Sequence, residues 1–194
     1  MDNNGYVKKQ TLYLAIVAAL IIGFLGGVVY SVYRSPADSG QLQTAEQQKA
    51  VAEAIASLEK ATKDDPGNGL TWVELGHAYF DAGQAKQAIA AYTKALELLP
   101  GDLNVMTDLG VMYHQDQQHQ KAIDLFDEVL KLDPKHEQSR FNKGVVLLTG
   151  LNDRKRALAE WKTLVQYKPM ATAPSGTMVS ELIDQLEKED QSKK

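Results

Sequence analysis

Apolar residues recur at helical spacing through most of the chain, in blocks of about a dozen residues parted by short polar turns. Leu70, Val73 and Phe80 share one face of a helix, and Ala88, Tyr92 and Ala95 share another. The pattern then repeats. Gly76, Gly110 and Gly144 fall 34 residues apart, and other positions keep step with them. Leu75 maps onto Leu109, Tyr79 onto Tyr113 and Leu147, Ala88 onto Ala122, Tyr92 onto Phe126, and Pro100 onto Pro134. A fixed period of this length predicts stacked helix pairs, each burying its apolar face on the next. The glycine and the small alanine mark where two helices cross closely, because a larger side chain would force the axes apart. Leu99-Pro100, Asp133-Pro134 and Lys168-Pro169 end the second helices, since proline lacks an amide donor and restricts the residue before it.

The positions Trp72, Leu75, Gly76, Tyr79, Ala88, Tyr92, Ala95 and Pro100 read out the W-x2-L-G-x2-Y…A-x3-F…P signature, and here the chain resembles the tetratricopeptide repeat family. The resemblance implies an all-α helical solenoid with repeats at 69–102, 103–136 and 137–170. Repeat two has Met106 for the tryptophan and Val129 for the second alanine. Repeat three departs further, with Arg140 and Lys143 at the first two signature positions and one extra residue before Ala157, Trp161, Leu164 and Pro169. The insertion is expected around Thr149 to Asp153, where a turn absorbs a residue cheaply. Ala54, Leu58, Ala61 and Pro66 match a second helix alone, so a half repeat is expected over 44–66, its helix at about 44–63. Met178, Val179, Leu182, Ile183 and Leu186 form one face of an amphipathic helix within 175–190, the kind of element that closes the apolar end of a repeat stack.

Ahead of the repeats, residues from about Thr11 to Tyr33 carry no charge. At about 1.5 Å per residue such a run crosses a hydrocarbon core of about 30 Å, so 11–33 is expected to be a transmembrane helix, uncleaved. Residues 1–10 form a flank with Lys8 and Lys9, and Arg34 opens a polar linker over 34–43. That bias predicts a single-pass protein of the inner membrane with a cytoplasmic N-terminus and a periplasmic repeat domain. Ala15, Ala19, Gly23, Gly27 and Ser31 follow at intervals of four and make a small-residue stripe, which predicts pairing with a second copy or with another membrane helix.

The net charge of −4 and the lack of a basic stripe argue against nucleic acid. There is no cysteine, which excludes disulfides, thiolate chemistry and thiolate zinc sites. No HExxH motif, phosphate-cradling loop or nucleophile with a base occurs, so no catalytic residue, metal or cofactor is expected, and the chain is read as not an enzyme. Function then rests on the groove that, by resemblance, the first helix of each repeat lines. Its expected binding residues are Val73, His77, Phe80, Asp108, Val111, His114, Phe141, Asn142, Val145 and Leu148, with Leu70 and Thr107 beside them. Family members that clamp a chaperone's terminal carboxylate use lysines, an arginine and asparagines. The matching positions here are Val73, His77, Asp108, Gln138 and Asn142, which lack that positive charge. The expected partner is therefore a protein presenting an apolar peptide or helix, and the expected role is a membrane-tethered interaction scaffold. The anchor, the repeats, the Ala157-to-Trp161 helix and the closing helix also resemble the periplasmic repeat subunits of cytochrome c maturation, which implies the alternative of presenting apocytochrome to haem ligation.

Overall fold

The computed structural model describes residues 37–192. The expected span at 11–33, with its stripe Ala15, Ala19, Gly23, Gly27 and Ser31, lies outside the described residues. Among those described, no helix is long and apolar enough to cross a membrane. The described residues form eight helices in order: α1 Ala37–Asp64, α2 Gly69–Asp81, α3 Ala85–Leu98, α4 Leu103–Gln115, α5 His119–Leu132, α6 Glu137–Thr149, α7 Arg154–Tyr167 and α8 Val179–Ser192. Among the described residues, those from Val51 onward form one compact unit, and the start of α1 falls in another.

Helix α1 begins at Ala37 rather than near 44, so most of the expected linker is helical. From Ala37 no proline interrupts the chain until Pro66, and the Gln-, Ala- and Glu-rich stretch has high helix propensity. From Val51 onward its Val51, Ile55 and Leu58 join the core of the first repeat. The Tyr79 hydroxyl donates to Glu59 Oε1 at 2.5 Å. Burial, followed by that carboxylate, pushes the phenol pKa up to about 12.

Three hairpins, α2–α3, α4–α5 and α6–α7, make the repeats, and a glycine against an aromatic ring closes each. A Cβ at Gly76 would overlap the Tyr92 ring, one at Gly110 would lie 2.6 Å from Phe126 Cε1, and one at Gly144 would overlap the Trp161 indole. Tyr92 and Phe126 are wholly buried and Trp161 nearly so. The indole N–H of Trp161 also donates to the Phe141 carbonyl at 3.0 Å, tying α7 to α6. Each hairpin turns through one left-handed residue: Gly83 at φ 67°, Gln117 at 62° and Asn152 at 53°. The first two turns share one bonding pattern, Gln84 N–H to the Tyr79 carbonyl and Gln118 N–H to the Tyr113 carbonyl, which caps the outgoing helix. The third turn spans 150–153, one residue longer than 82–84 or 116–118, and so holds the insertion.

First helices start on side-chain caps. Asn68 accepts from Thr71 N–H, Asp102 from Asn104 and Val105, and His136 Nδ1 from Ser139. After α7, Ala173 N–H bonds to the Thr177 carbonyl and Val179 N–H to the Ala171 carbonyl, forming a small hairpin that returns the chain onto α7. Val179 and Ile183 of α8 are buried with Trp161, Leu164 and Ala171. Arg154 and Lys162 hold α8 through Glu189 and Glu187.

Where repeat three abandons the signature, charge replaces apolar packing. Arg140 and Lys143 occupy the places of Trp72 and Leu75, and Glu160 of α7 occupies the place of Ala91. Arg140 Nη1 lies 2.8 Å from Glu160 Oε2. Lys143 Nζ lies 2.5 Å from Glu160 Oε1 and 2.5 Å from Asp127 Oδ1 on α5. Burial alone would lower the lysine pKa, but its bonds to Asp127 and Glu160 outweigh it and raise the value. A raised lysine pKa adds stability below its ordinary range, and that contribution fades only as pH climbs through the raised value.

Four outcomes follow from these contacts, each readable by thermal or denaturant unfolding. Gly144→Ala is expected to cost about 1–3 kcal/mol by overpacking against Trp161. Gln117→Gly should gain about 0.5–1 kcal/mol by relieving a left-handed conformation that glycine adopts freely. Glu160→Ala should cost about 3 kcal/mol because it leaves Arg140 and Lys143 together without their shared acid. The triple change Arg140→Trp, Lys143→Leu, Glu160→Ala, which restores the residues of repeat one, should recover most of that loss. A triple variant as unstable as the single one would show that the charges themselves hold the joint.

Candidate functional site

The candidate site is the face made by the first helices, α2, α4 and α6. The last two approach closely through small polar residues. Thr107 and Ser139 are both wholly buried, their hydroxyl oxygens 2.6 Å apart. Thr107 spends its proton on the Leu103 carbonyl at 2.6 Å, so Ser139 donates to Thr107. Thr107 is therefore part of the joint between helices, not of the groove lining where the sequence places it. Leu70, at 66% exposure, stands outside the packed face.

All ten expected groove residues fall on these three helices. His77 is exposed and the other nine are half-buried. Repetition at 34 residues sets them in register across the helices: His77, Val111 and Val145 on one line, Phe80, His114 and Leu148 on the next. Val73, Phe80 and Val111 pack partly on the core of the first repeat, and Phe141, Val145 and Leu148 on that of the third. Phe141 also stacks on Trp161 at 5.8 Å. Each apolar side chain thus divides its surface between core and solvent. At the far end, Gln138, Phe141 and Asn142 line a recess of about 490 Å³, walled by Met170 to Pro174.

Two polar clusters interrupt this surface. His77 Nε2 lies 3.4 Å from Asp108 Oδ2, joining α2 to α4, and its ring meets Tyr92 edge-on at 5.6 Å. Burial pushes the Asp108 pKa up, with His77 pulling partly the other way. The second cluster lies at the turn. His114 Nδ1 and His119 Nδ1 are 2.9 Å apart, and His114 Nε2 is 3.3 Å from Thr149 Oγ1 on α6. One imidazole must donate to the other across that contact. Burial, followed by the neighbouring ring, lowers the His114 pKa. Sequence spacing does not reveal this pairing, because residues five apart do not share a helix face. The left-handed Gln117 between them brings the rings together. Among the described residues, no group of three or more His, Asp and Glu side chains is placed to hold a metal.

Comparison with known proteins agrees with this architecture. The family profile described as tetratricopeptide repeat matches residues 67–135. No curated protein matches the sequence. Among solved structures, a crystal structure of MamA superposes with a TM-score of 0.58 at 23% identity, over 65% of this chain and 73% of that one. MamA from Desulfovibrio magneticus RS-1, residues 41 to the end, gives 0.59 at 19%, over 66% and 72%. The first repeat domain of Spaghetti (RPAP3), bound to the HSP90 peptide SRMEEVD, gives 0.55 at 17%, over 62% and 90%. At these identities the likeness is one of fold. The glycine ladder, the three hairpins and the solved structures converge on a tetratricopeptide repeat fold, and residues 67–135 match that family's profile.

Proposed function

We propose that this protein is an interaction scaffold that binds a peptide or helix of a partner protein along α2, α4 and α6, and that residues 11–33 tether it to a membrane. The observation that carries the reading is the register of half-buried apolar side chains, Phe80, Val111, Phe141, Val145 and Leu148, across three successive helices. Such surface is already partly ordered by the core, so covering the remainder costs little side-chain entropy and removes apolar area from water. The RPAP3 repeat domain holds an acidic peptide. That ligand class suits this chain poorly, because Val73, His77, Asp108, Gln138 and Asn142 stand at the clamp positions and bring no lysine or arginine. The uncharged run with Lys8 and Lys9 before it supports an anchor with the repeats on the extracytoplasmic side. Its small-residue stripe supports pairing of two anchors.

Crosslinking of the full-length protein in intact membranes, with partners identified by mass spectrometry, tests the reading. Phe141→Ala and Val111→Asp are each expected to reduce partner recovery about ten-fold, the effect of losing an anchor worth about 1.4 kcal/mol, with helicity by circular dichroism unchanged. Unaltered recovery would move the site off this face. Gly23→Ile with Gly27→Ile should abolish crosslinks between copies if the anchors pair. Recovery of cytochrome c maturation proteins would single out the alternative, an assembly factor presenting apocytochrome to haem ligation, over a general scaffold.

A further inference from the structure

We propose that the α2–α4 part of the face selects a partner segment carrying a lysine or arginine among apolar residues, and that this cation seats on the Asp108 carboxylate where the His77 imidazole now lies. The inference rests on the reading that this face is the binding site and adds the chemistry of its ligand.

Charge along the face is one-sided. Helices α2 and α4 carry Glu74, Asp81 and Asp108, with Asp102 at the cap of α4, and neither contains a lysine or arginine. The basic side chains of α6 cannot balance them, because Arg140 is held by Glu160, and Lys143 by Glu160 and Asp127. A peptide entering between Val73, Phe80 and Val111 therefore meets an anionic surface, and a matching cation both steers and selects it.

Asp108 is the focus of that field. Its side chain is only 21% exposed, yet its ion-pair partner is a histidine at 3.4 Å whose own side chain is 51% exposed. A carboxylate so far withdrawn from water ordinarily has a strong cationic partner. Beneath the imidazole, Tyr92 is wholly buried and its hydroxyl has no hydrogen-bond partner. Burial, with the negative charges of Asp108 and Asp81, resists ionisation of that hydroxyl, which places both carboxylates within its electrostatic reach. The site thus combines a poorly compensated acid, an unpaired buried hydroxyl and a loosely held imidazole as lid. The raised Asp108 pKa means that its charged form costs the fold stability at neutral pH. An acid kept at that cost, with only a half-exposed histidine as its ion-pair partner, fits a ligand contact better than a structural one.

The test uses the full-length chain in a non-ionic detergent and two fluorescent synthetic helices of Leu with Lys and of Leu with Glu, identical otherwise. The Lys peptide is expected to bind about ten-fold more tightly than its Glu twin and to weaken as salt rises. Asp108→Asn should cut Lys-peptide affinity about ten-fold while leaving the melting temperature equal or higher, and His77→Ala should preserve or tighten binding. Equal affinity of wild type and Asp108→Asn for the Lys peptide overturns the proposal, as does failure of that peptide to bind at millimolar concentration. Val111→Ser separates this inference from the reading beneath it. If it weakens both peptides alike while Asp108→Asn weakens neither, the face is the site but does not select a cation. If it changes neither, the face itself is not the site.

Discussion

Everything in the repeat domain depends on how closely the two helices of a pair can approach. Gly76, Gly110 and Gly144 let Tyr92, Phe126 and Trp161 lie flat against the backbone of the facing helix. Because those rings are the largest buried groups of their hairpins, the crossing geometry of each pair follows from one missing Cβ. The rings differ in size, and the third needs an additional tie, the indole N–H to the Phe141 carbonyl. Where the hairpins sit in turn decides the register of the first helices, and hence which side chains meet on the candidate binding face.

Charge is distributed with the same economy. The charged residues on the first helices of repeats one and two are acidic, whereas repeat three buries two cations and returns them to acids on α5 and α7. Arg140 and Lys143 thus stay within the joint, while the charged residues of α2 and α4 are anions. The protein's small net charge of −4 hides that separation. The two histidine contacts mark the same division, with His77 half-free over the acidic face and His114 tied to His119 and Thr149 in the turn.

Much of this was legible in the residues because a repeat carries its own internal control. A ladder of matched positions reports which residues the packing constrains, so the hairpins, the turn holding the extra residue and the helices bearing the groove residues could all be read in advance. What escaped were contacts that break the period. Arg140 and Lys143 registered only as departures, because the compensating Glu160 lies on another helix, 20 and 17 residues away. Thr107 looked like a lining residue until its bond to Ser139 placed it inside the joint. The early start of α1 escaped for the opposite reason, since Ser39 and Gly40 suggest a linker by composition although the following residues favour a helix. Half-burial of the groove residues was beyond any pattern, because one helix face serves both core and surface.

The ionic joint also carries information about order. Stacked repeats of near-identical shape can in principle dock in the wrong succession, or with a repeat of another chain. Lys143 reaches back to Asp127 of repeat two, and the position equivalent to Asp127 in repeat one is Thr93. Docked behind repeat one, repeat three would face a hydroxyl where its lysine meets an acid in the native stack. The apolar ladder makes the repeats stack, and this one misfit between them numbers them.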